Sequence, residues 1–413
     1  MTAAPSRTVP GRSKFGQRTF GAPGRGRVYG GAVVAAVVAI ASAGALAACG
    51  SSVSSADSAD GATSASTSAT SLATSLSTAK DSWAVVPVSA NPAFWEVLVR
   101  SAKSTTWRLV TPPGVADNGG LVAAGTGGSL TVAVRPSQDL LFSPLAATAD
   151  AGATWSTGGP LSGGVAASPD ALAADGSNLL ALLSDGAITA SANAGSTWRT
   201  LAKPGAIAAS PAGKGCGTVA VTSVTFGLTA AQMFAAGSCG TSGTTAIFSY
   251  YPATGWKRQS LPMAGHLVAM FADGTTLELA KAGLTALWVG GWYAPISSSP
   301  PSTLPWQQSA PLPVTGAIAA SGELAGPTSA AMDGAWVLLP GGRAATISQL
   351  GQPWLLLPPV PTATKVLASG PNGAVDALAV SGVKVTVWRL VHGATVWTKI
   401  QTIAVPVQYG SSS

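Results

Sequence analysis

Few side chains in this sequence could carry acid–base or metal chemistry. The two histidines, His266 and His392, lie far apart, and neither has a Cys, Asp or Glu at the spacing of metal ligands. We therefore expect no metal and no cofactor. Glycine pairs such as Gly119-Gly120 do not precede a helix-forming segment, so we interpret them as turns rather than phosphate-binding loops.

Cys49 has the clearest chemical context of the three cysteines. Basic residues up to Arg27 precede an uncharged stretch rich in Ala and Val, which ends at Leu46-Ala47-Ala48-Cys49-Gly50. This order is typical of an export signal, and its end resembles a bacterial lipobox, in which the cysteine thiol takes a lipid. A permanent transmembrane helix is the alternative, because about 20 apolar residues span a bilayer. Under either interpretation the rest of the chain lies on the extracytoplasmic face of a bacterial cell membrane.

The positive net charge belongs to the predicted signal peptide, residues 1–48. That segment holds six of the 22 basic residues and no acidic one, so 16 bases face 15 acids in the remainder. A nearly neutral body lacks the basic stripe that neutralises phosphates, which excludes nucleic acid as an expected partner. Residues 50–80 are mostly Ser, Thr and Ala and contain no aromatic side chain. We expect residues 49–81 to form a disordered, flexible tether behind the lipidated cysteine.

A tryptophan repeat organises residues 82–410. Seven tryptophans follow a turn and precede a short strand at intervals of 43 to 58 residues, close to the length of a four-stranded propeller blade; they are Trp107, Trp155, Trp198, Trp256, Trp306, Trp354 and Trp397. Runs of small and aliphatic residues, such as Gly205–Ala209 and Lys365–Ser369, follow the tryptophans and suit crowded inner strands. The last such run, Ile403–Val405, is C-terminal, and the first blade has room for only three strands. The sequence thus predicts an all-β fold, a seven-bladed β-propeller closed by the C-terminal strand.

Two of the turns share a fuller pattern, Thr148–Trp155 and Ser191–Trp198, which read TADAGATW and SANAGSTW. The pattern resembles the Asp-box of sialidase-like β-propellers, which include the photosystem II assembly-factor type. The resemblance places each motif on the hairpin that joins the two outer strands of a blade. Asx side chains accept hydrogen bonds from turn amides, glycine supplies a positive φ, and tryptophan packs between blades. We expect this structural role for Asp150, Gly152, Trp155, Asn193, Gly195 and Trp198.

The same resemblance raises glycoside hydrolysis as an activity. Sialidase chemistry needs three arginines on one carboxylate, together with Tyr, Glu and Asp. Arg100, Arg135 and Arg343 are available for that role, but none lies in a recognisable sialidase motif. An exported sialidase-like glycoside hydrolase is therefore the alternative function, and its candidate residues are Glu278, Glu323 and His266.

Cys216 and Cys239 flank two strand-like runs joined by a turn, so antiparallel pairing places them opposite each other. We predict a disulfide between them, because an exported chain meets an oxidising environment. Two buried free thiols are the alternative.

Two features are candidates for ligand binding. His266 stands at the start of a predicted inner strand, where it points to the axial channel or serves only packing. Trp292 and Tyr293 begin a long Ser/Pro-rich loop, which presents aromatic side chains to a partner or is a surface decoration.

The preferred functional hypothesis is a non-catalytic, membrane-tethered binding or assembly scaffold in the cell envelope. Its anchor is the lipid on Cys49, and its partner is an envelope protein or glycan. Sensing of a small envelope ligand in the axial channel is a third possibility.

Overall fold

The structure is a computed structural model, and it describes the following residues: 74–77, 81–88, 94–112, 121–126, 129–134, 145–158, 169–217, 219–227, 231–240, 244–259, 266–271, 274–281, 284–292, 306–314, 318–324, 334–348 and 352–406. Almost every regular element in these ranges is a β-strand. The two helical pieces are one turn each, α1 (Ala206–Ala209) and a 3₁₀ turn (Pro371–Gly373). No helix among the described residues is long and apolar enough to cross a membrane.

Four-stranded antiparallel sheets form from consecutive strands, and we call each of them a blade. Blade 1 contains β1 (Thr74–Ser77), β2 (Asp81–Val88), β3 (Phe94–Ser101) and β4 (Arg108–Leu109), and blade 2 contains β5 (Leu121–Thr126), β6 (Ser129–Val134), β7 (Leu145–Thr148) and β8 (Ser156–Thr157). Blade 3 contains β9 (Pro169–Asp175), β10 (Asn178–Leu183), β11 (Ile188–Ser191) and β12 (Arg199–Ala202), and blade 4 contains β13 (Val219–Phe226), β14 (Met233–Cys239), β15 (Thr244–Tyr251) and β16 (Gly255–Gln259).

A five-stranded sheet comes next in the chain and contains β17 (His266–Phe271), β18 (Gly274–Lys281), β19 (Leu284–Trp292), β20 (Trp306–Gln308) and β21 (Leu312–Val314). Blades 5 and 6 follow with β22 (Ala320–Leu324), β23 (Gly334–Leu339), β24 (Arg343–Ile347), β25 (Leu355–Leu356); and β26 (Thr364–Ser369), β27 (Val375–Ser381), β28 (Lys384–Leu390), β29 (Thr398–Ala404).

Burial within a blade follows the position of the strand. Every described side chain of β23 is buried, and β10 and β14 are nearly so, whereas the outermost strands β8 and β25 are exposed. Second strands read as continuous Val, Leu and Ala runs because neighbouring sheets cover both of their faces. Outermost strands lack such cover, and they range from two residues in β8 and β25 to seven in β29.

The sheets are arranged as a β-propeller. The innermost strands contact one another in chain order, from β5 through β9, β13, β17 and β22 to β26, and β26 contacts β1 and β2 of blade 1. The prediction of seven blades is wrong: six sheets are four-stranded meanders and form blades, whereas the sheet between blades 4 and 5 has five strands. Its outer edge is split, since β20 and β21 both pair with β19. Pro311, which has no N–H to donate, lies at the break.

The predicted closure by the C-terminal strand is also wrong. Strand β29 pairs with β28 of its own blade, and the Val405 N–H donates to Val383 O. Blade 1 instead takes its inner strand, β1, from Thr74–Ser77, within the 49–81 segment that we expected to be a tether. Small side chains suit this position: Ser75 is buried, its hydroxyl accepts a hydrogen bond from Trp336 Nε1 at 2.7 Å, and Thr74 Oγ1 donates to Ser321 O.

Residues 203–217 explain the longest interval of the tryptophan repeat. The run Gly205–Ala209, which we predicted to be an inner strand, is the short helix α1, and the inner strand of blade 4 is β13. The predicted disulfide between Cys216 and Cys239 is confirmed. Both cysteines are buried, and the bond fixes the inserted segment to the end of β14. The bridge therefore anchors the inserted segment to blade 4.

The seven repeat tryptophans mark the outermost edge of the sheets. Five directly precede the outermost strand, Trp306 begins β20, and Trp256 is the second residue of β16. Trp107 and Trp397 are buried, and the indole of Trp397 donates to Pro358 O of the preceding blade. The predicted phase of the repeat therefore holds even though the blade count does not.

Candidate functional site

The turns at Asp150 and Asn193 have the same hydrogen-bond geometry. The Thr154 N–H donates to Asp150 Oδ1 at 2.9 Å, and the Thr197 N–H donates to Asn193 Oδ1 at 2.9 Å. In both turns the residue two positions earlier, Thr148 or Ser191, donates its hydroxyl to the Asx side chain. All of these bonds stay inside the turn, which is the arrangement expected for a structural element.

The glycines and tryptophans of these turns also have structural contacts. Gly152 has φ +77, and a Cβ on it would lie 2.6 Å from Val110 Cβ of blade 1, so the position needs glycine for both conformation and packing. Gly195 has φ +82, and its carbonyl accepts a hydrogen bond from Trp198 Nε1 at 3.0 Å. Trp155 packs against the core cluster that contains blade 1. These residues shape turns and blade contacts.

Hydrogen bonds from Thr154, through its hydroxyl and then its amide, lower the pKa of Asp150 to about 2. The carboxylate is therefore the form that the turn selects at neutral pH. Asn193 occupies the equivalent place without a charge and donates its Nδ2 to Thr197 Oγ1. A turn of this geometry therefore forms both with a charged and with an uncharged side chain at this position.

A cluster of charged and aromatic side chains joins blade 1 to blade 6, and we call it the clasp. Asp376, which is 0% exposed, accepts hydrogen bonds from Arg389 Nε at 2.6 Å and from Arg389 Nη2 at 2.8 Å. Trp107 Nε1 donates to the same carboxylate at 2.9 Å, and Arg100 Nε lies 3.9 Å from it. Two arginines and a tryptophan thus converge on one buried acid, across the junction of the first and last blades of the ring.

The remaining donors of the clasp are also engaged. Arg100 Nη2 donates to Ser369 O at 2.8 Å and to Ser82 Oγ at 2.9 Å, and Gln401 exchanges two hydrogen bonds with the Trp107 main chain. Burial lowers the pKa of Arg100, and the Asp376 charge opposes that shift. Because its guanidinium is directed at protein carbonyls, Arg100 is not placed to bind a substrate carboxylate. The clasp links blade 1 to blade 6 at the junction where we had predicted closure by a C-terminal strand.

Other residues predicted from the sequence lie partly or wholly outside the described residues. Cys49, Tyr293 and Arg135 fall outside the described ranges. The main chain of His266 begins β17 and pairs with Glu278, and Trp292 ends β19 opposite Trp306, but their side chains are not among those described. No group of three His, Cys, Asp or Glu residues in the described part of the chain is arranged to hold a metal ion.

An apolar groove of about 910 Å³ lies between blades 5 and 6. One wall is β25 with the residues that follow it, up to Pro358, and the other is the turn from Leu390 to Thr395 that joins β28 to β29. The loop between β26 and β27, with its 3₁₀ turn, lines the groove between these walls. This volume is within the range of ligand-binding clefts in proteins.

Large apolar side chains are exposed around this groove. Leu355 and Leu356 are 60% and 61% exposed, and Val391 on the opposite wall is 58% exposed. Val396, 72% exposed, directly follows the second wall. Among the described residues, the other exposed large apolar side chain is Val383, which is 39% exposed and lies at the opposite end of β28 from Val391. Contiguous exposed apolar surface of this kind marks binding sites.

The walls of the groove are held by main-chain hydrogen bonds. Leu357 N–H donates to Ala344 O at 3.0 Å, which fixes β25 to its blade. Ala394 N–H donates to Val391 O at 2.9 Å, which closes the opposite turn. Trp397 Nε1 donates across the seam to Pro358 O at 3.3 Å. The groove is therefore part of the fold and needs no partner to form.

The sequence contained a signal for this groove that the repeat analysis did not use. Outermost strands of other sheets carry polar residues, such as Ser156–Thr157 in β8, whereas Trp354 is followed by three leucines. A leucine run on the strand with least cover predicts exposed apolar surface. His392, which we considered only as a metal ligand, lines the same groove.

Comparisons with known proteins identify no function for this chain. No family model matches the sequence, and no curated protein matches it. Among solved structures, YCF48 from Cyanidioschyzon merolae is 16% identical over 77% of this chain and 92% of its own, with a TM-score of 0.43. YCF48 bound to a D1 peptide is 17% identical over 69% of this chain and 81% of its own, with a TM-score of 0.39. The GH74 xyloglucanase from Xanthomonas campestris is 14% identical over 78% of this chain and 52% of its own, with a TM-score of 0.47.

Proposed function

We propose that this chain is a lipid-anchored binding or assembly scaffold on the extracytoplasmic face of a bacterial cell membrane, and that the groove between blades 5 and 6 is its binding surface. The exposed apolar groove carries the proposal. Full burial of one Leu or Val side chain contributes about 1.5–3 kcal/mol, so the side chains of Leu355, Leu356 and Val391 offer a partner substantial binding free energy. An enzyme site would need convergent reactive side chains, whereas this groove presents mainly apolar groups and main chain.

Anchoring is the second part of the proposal, and the sequence around Cys49 supports it. The basic, apolar and small-residue segments precede this cysteine in the order of an export signal. A lipid on its thiol would hold the propeller at the membrane by the segment before β1. The two Asx turns, with their resemblance to the Asp-box, support a propeller of the sialidase-like kind without implying its activity.

Anchoring is tested by fractionating cells that express the chain or its Cys49→Ser variant. We expect the unsubstituted chain in the membrane fraction, with a mass increased by lipid, and the Cys49→Ser variant without that mass increase. Equal masses for the two proteins would contradict lipidation at this residue.

Binding is tested by photo-cross-linking in cells, with a photoreactive amino acid in place of Val391 or, as the matched control, Val383. Both valines are exposed on blade 6, but only Val391 lines the groove. The scaffold proposal predicts a discrete adduct with an envelope component at position 391 and none at position 383. Equal labelling at both positions, or none at 391, would contradict the groove as the binding surface.

A further inference from the structure

Strand β25 is the outermost strand of blade 5, so one of its edges pairs with no other strand of the sheet, and its residues line the groove. Strand β25 pairs with β24 at Thr346 and Ala345, and the Leu357 N–H also donates toward that side. In an antiparallel ladder, the N–H and C=O of successive residues point alternately to the two sides of the strand. The N–H and C=O groups of Leu355 and Leu357 therefore point toward β24, and those of Leu356 point away from it. A segment beside β25 would find both a donor and an acceptor at this residue.

Prolines limit the length over which such pairing can extend. Pro353 lies two residues before β25, and Pro358 lies two residues after it. Proline has no N–H to donate, and prolines at sheet edges prevent continued strand pairing. The stretch between them, residues 354–357, spans about 13 Å in extended conformation. The edge can therefore accept a short strand but not an extended sheet.

The lining of the groove selects against charged occupants. None of its lining residues is Asp, Glu, Lys or Arg, and His392 is its one titratable side chain. A charge brought into this groove would lose water without gaining a counter-charge. The groove also has two walls, with Leu356 on one and Val391 on the other, and a concave shape suits an extended segment better than a flat membrane surface.

From these observations we infer that the groove binds a short, extended, uncharged segment of an envelope protein by strand addition. The segment pairs with the main chain of Leu356 and buries its own apolar side chains between Leu356 and Val391. Main-chain hydrogen bonds supply affinity for an extended peptide, and the side-chain surface supplies selectivity. This inference rests on the proposed scaffold function and names the kind of partner that the scaffold takes.

Peptide binding to the purified full chain tests the apolar part of the inference. The probes are a panel of acetylated and amidated hexapeptides that alternate Val, Ile or Leu with Thr or Ser, and matched peptides with Glu or Lys in place of the polar residues. We expect the uncharged peptides to bind, and Leu356→Lys to weaken them by about tenfold or more. Val383→Lys adds the same charge outside the groove and should leave binding unchanged.

A second pair of variants tests the main-chain pairing. Leu356→Ala removes the leucine side chain and keeps the N–H, whereas Leu356→Pro removes the leucine side chain and the N–H. The N–H of residue 356 does not pair with β24, so its loss should not disturb blade 5. Leu356→Pro should therefore bind the peptides about tenfold more weakly than Leu356→Ala, with an unchanged melting temperature. If Leu356→Pro does not fold, N-methylation of the peptide replaces it, and the methylated peptide should lose binding to the unsubstituted chain.

Several results would overturn strand addition. They are binding of no uncharged peptide tighter than about 1 mM, preference for the charged peptides, or equal binding by the alanine and proline variants. Sedimentation that shows a dimer dispersed by Leu356→Lys would assign the edge to a second copy of this chain. Binding to phosphatidylglycerol vesicles that Leu356→Lys abolishes would assign it to the membrane. If position 391 still cross-links an envelope component in cells, the scaffold function stands and only the strand addition falls.

Discussion

Removal of the Asp376 carboxylate tests whether the clasp closes the ring. Asp376→Ala deletes two hydrogen bonds from Arg389 and one from Trp107. It also removes the carboxylate that is paired with Arg389 and that lies 3.9 Å from the buried Arg100. Breaking a buried ion pair by removing one partner costs about 3–5 kcal/mol. For a propeller of this size about 2 °C of melting temperature corresponds to 1 kcal/mol, so we expect a decrease of about 6–10 °C.

The assay is equilibrium unfolding of the purified chain in urea and by heat, with Asp185→Ala as the control. Asp185 is exposed and accepts a single hydrogen bond from the Ala187 N–H, so its loss should cost about 1 kcal/mol or less. Trp107→Phe removes one donor from the clasp and should cost about 1.5–3 kcal/mol. In the double variant with Asp376→Ala the two losses should not add, since they share one hydrogen bond. A loss for Asp376→Ala no larger than that for Asp185→Ala would refute the clasp as the closure of the ring.

Three further predictions concern single features of the fold. Hydrogen bonding in the turn lowers the pKa of Asp150 from 3.8 to about 2, so its stabilising effect is present above about pH 4 and is lost as the pH falls through 2. The variant Asp150→Asn, which copies Asn193, should keep the melting temperature at neutral pH and show a weaker dependence of melting temperature on pH between 4 and 2. Removal of the disulfide by the Cys216→Ala, Cys239→Ala double variant should lower the free energy of unfolding by about 3 kcal/mol. Reduction of the unsubstituted chain should lower it as well, and no loss in either sample would contradict the prediction. Burial raises the pKa of Glu96, and the hydrogen bond from the Thr111 hydroxyl partly opposes this shift. Because the folded chain disfavours the charged form, Glu96→Gln should have a higher melting temperature than the unsubstituted chain at pH 7. The difference should vanish below about pH 4.5, where Glu96 is protonated in both the folded and the unfolded chain.

The sequence predicted the elements that depend on local pattern. Turn residues placed the tryptophans at the outermost strands, and cysteine spacing placed the disulfide across the start of β13 and the end of β14. The two Asx turns were predictable because their hydrogen bonds involve residues within seven positions of one another. Local chemistry of this kind is readable without knowledge of the tertiary contacts.

Features that depend on distant contacts were not predictable in the same way. Strand β1 has the composition of a tether, and its Ser and Thr side chains find partners in Ser321, Glu323 and Trp336, which lie more than 240 residues away in the chain. The clasp joins Trp107 to Asp376, which no sequence spacing indicates. The run Gly205–Ala209 has the same pattern as true inner strands, yet the disulfide-linked insertion makes it a helical turn. Tertiary context overrides short-range pattern in each of these cases.

The groove between blades 5 and 6 is the basis of the functional account, and amide hydrogen exchange tests it most directly. The chain is compared alone and as the complex captured by cross-linking at position 391. The account predicts slower exchange on binding at residues 354–357, with the Leu356 amide most affected, and no change around Val383. Unchanged exchange at Leu356, together with protection confined to another part of the propeller, would contradict it.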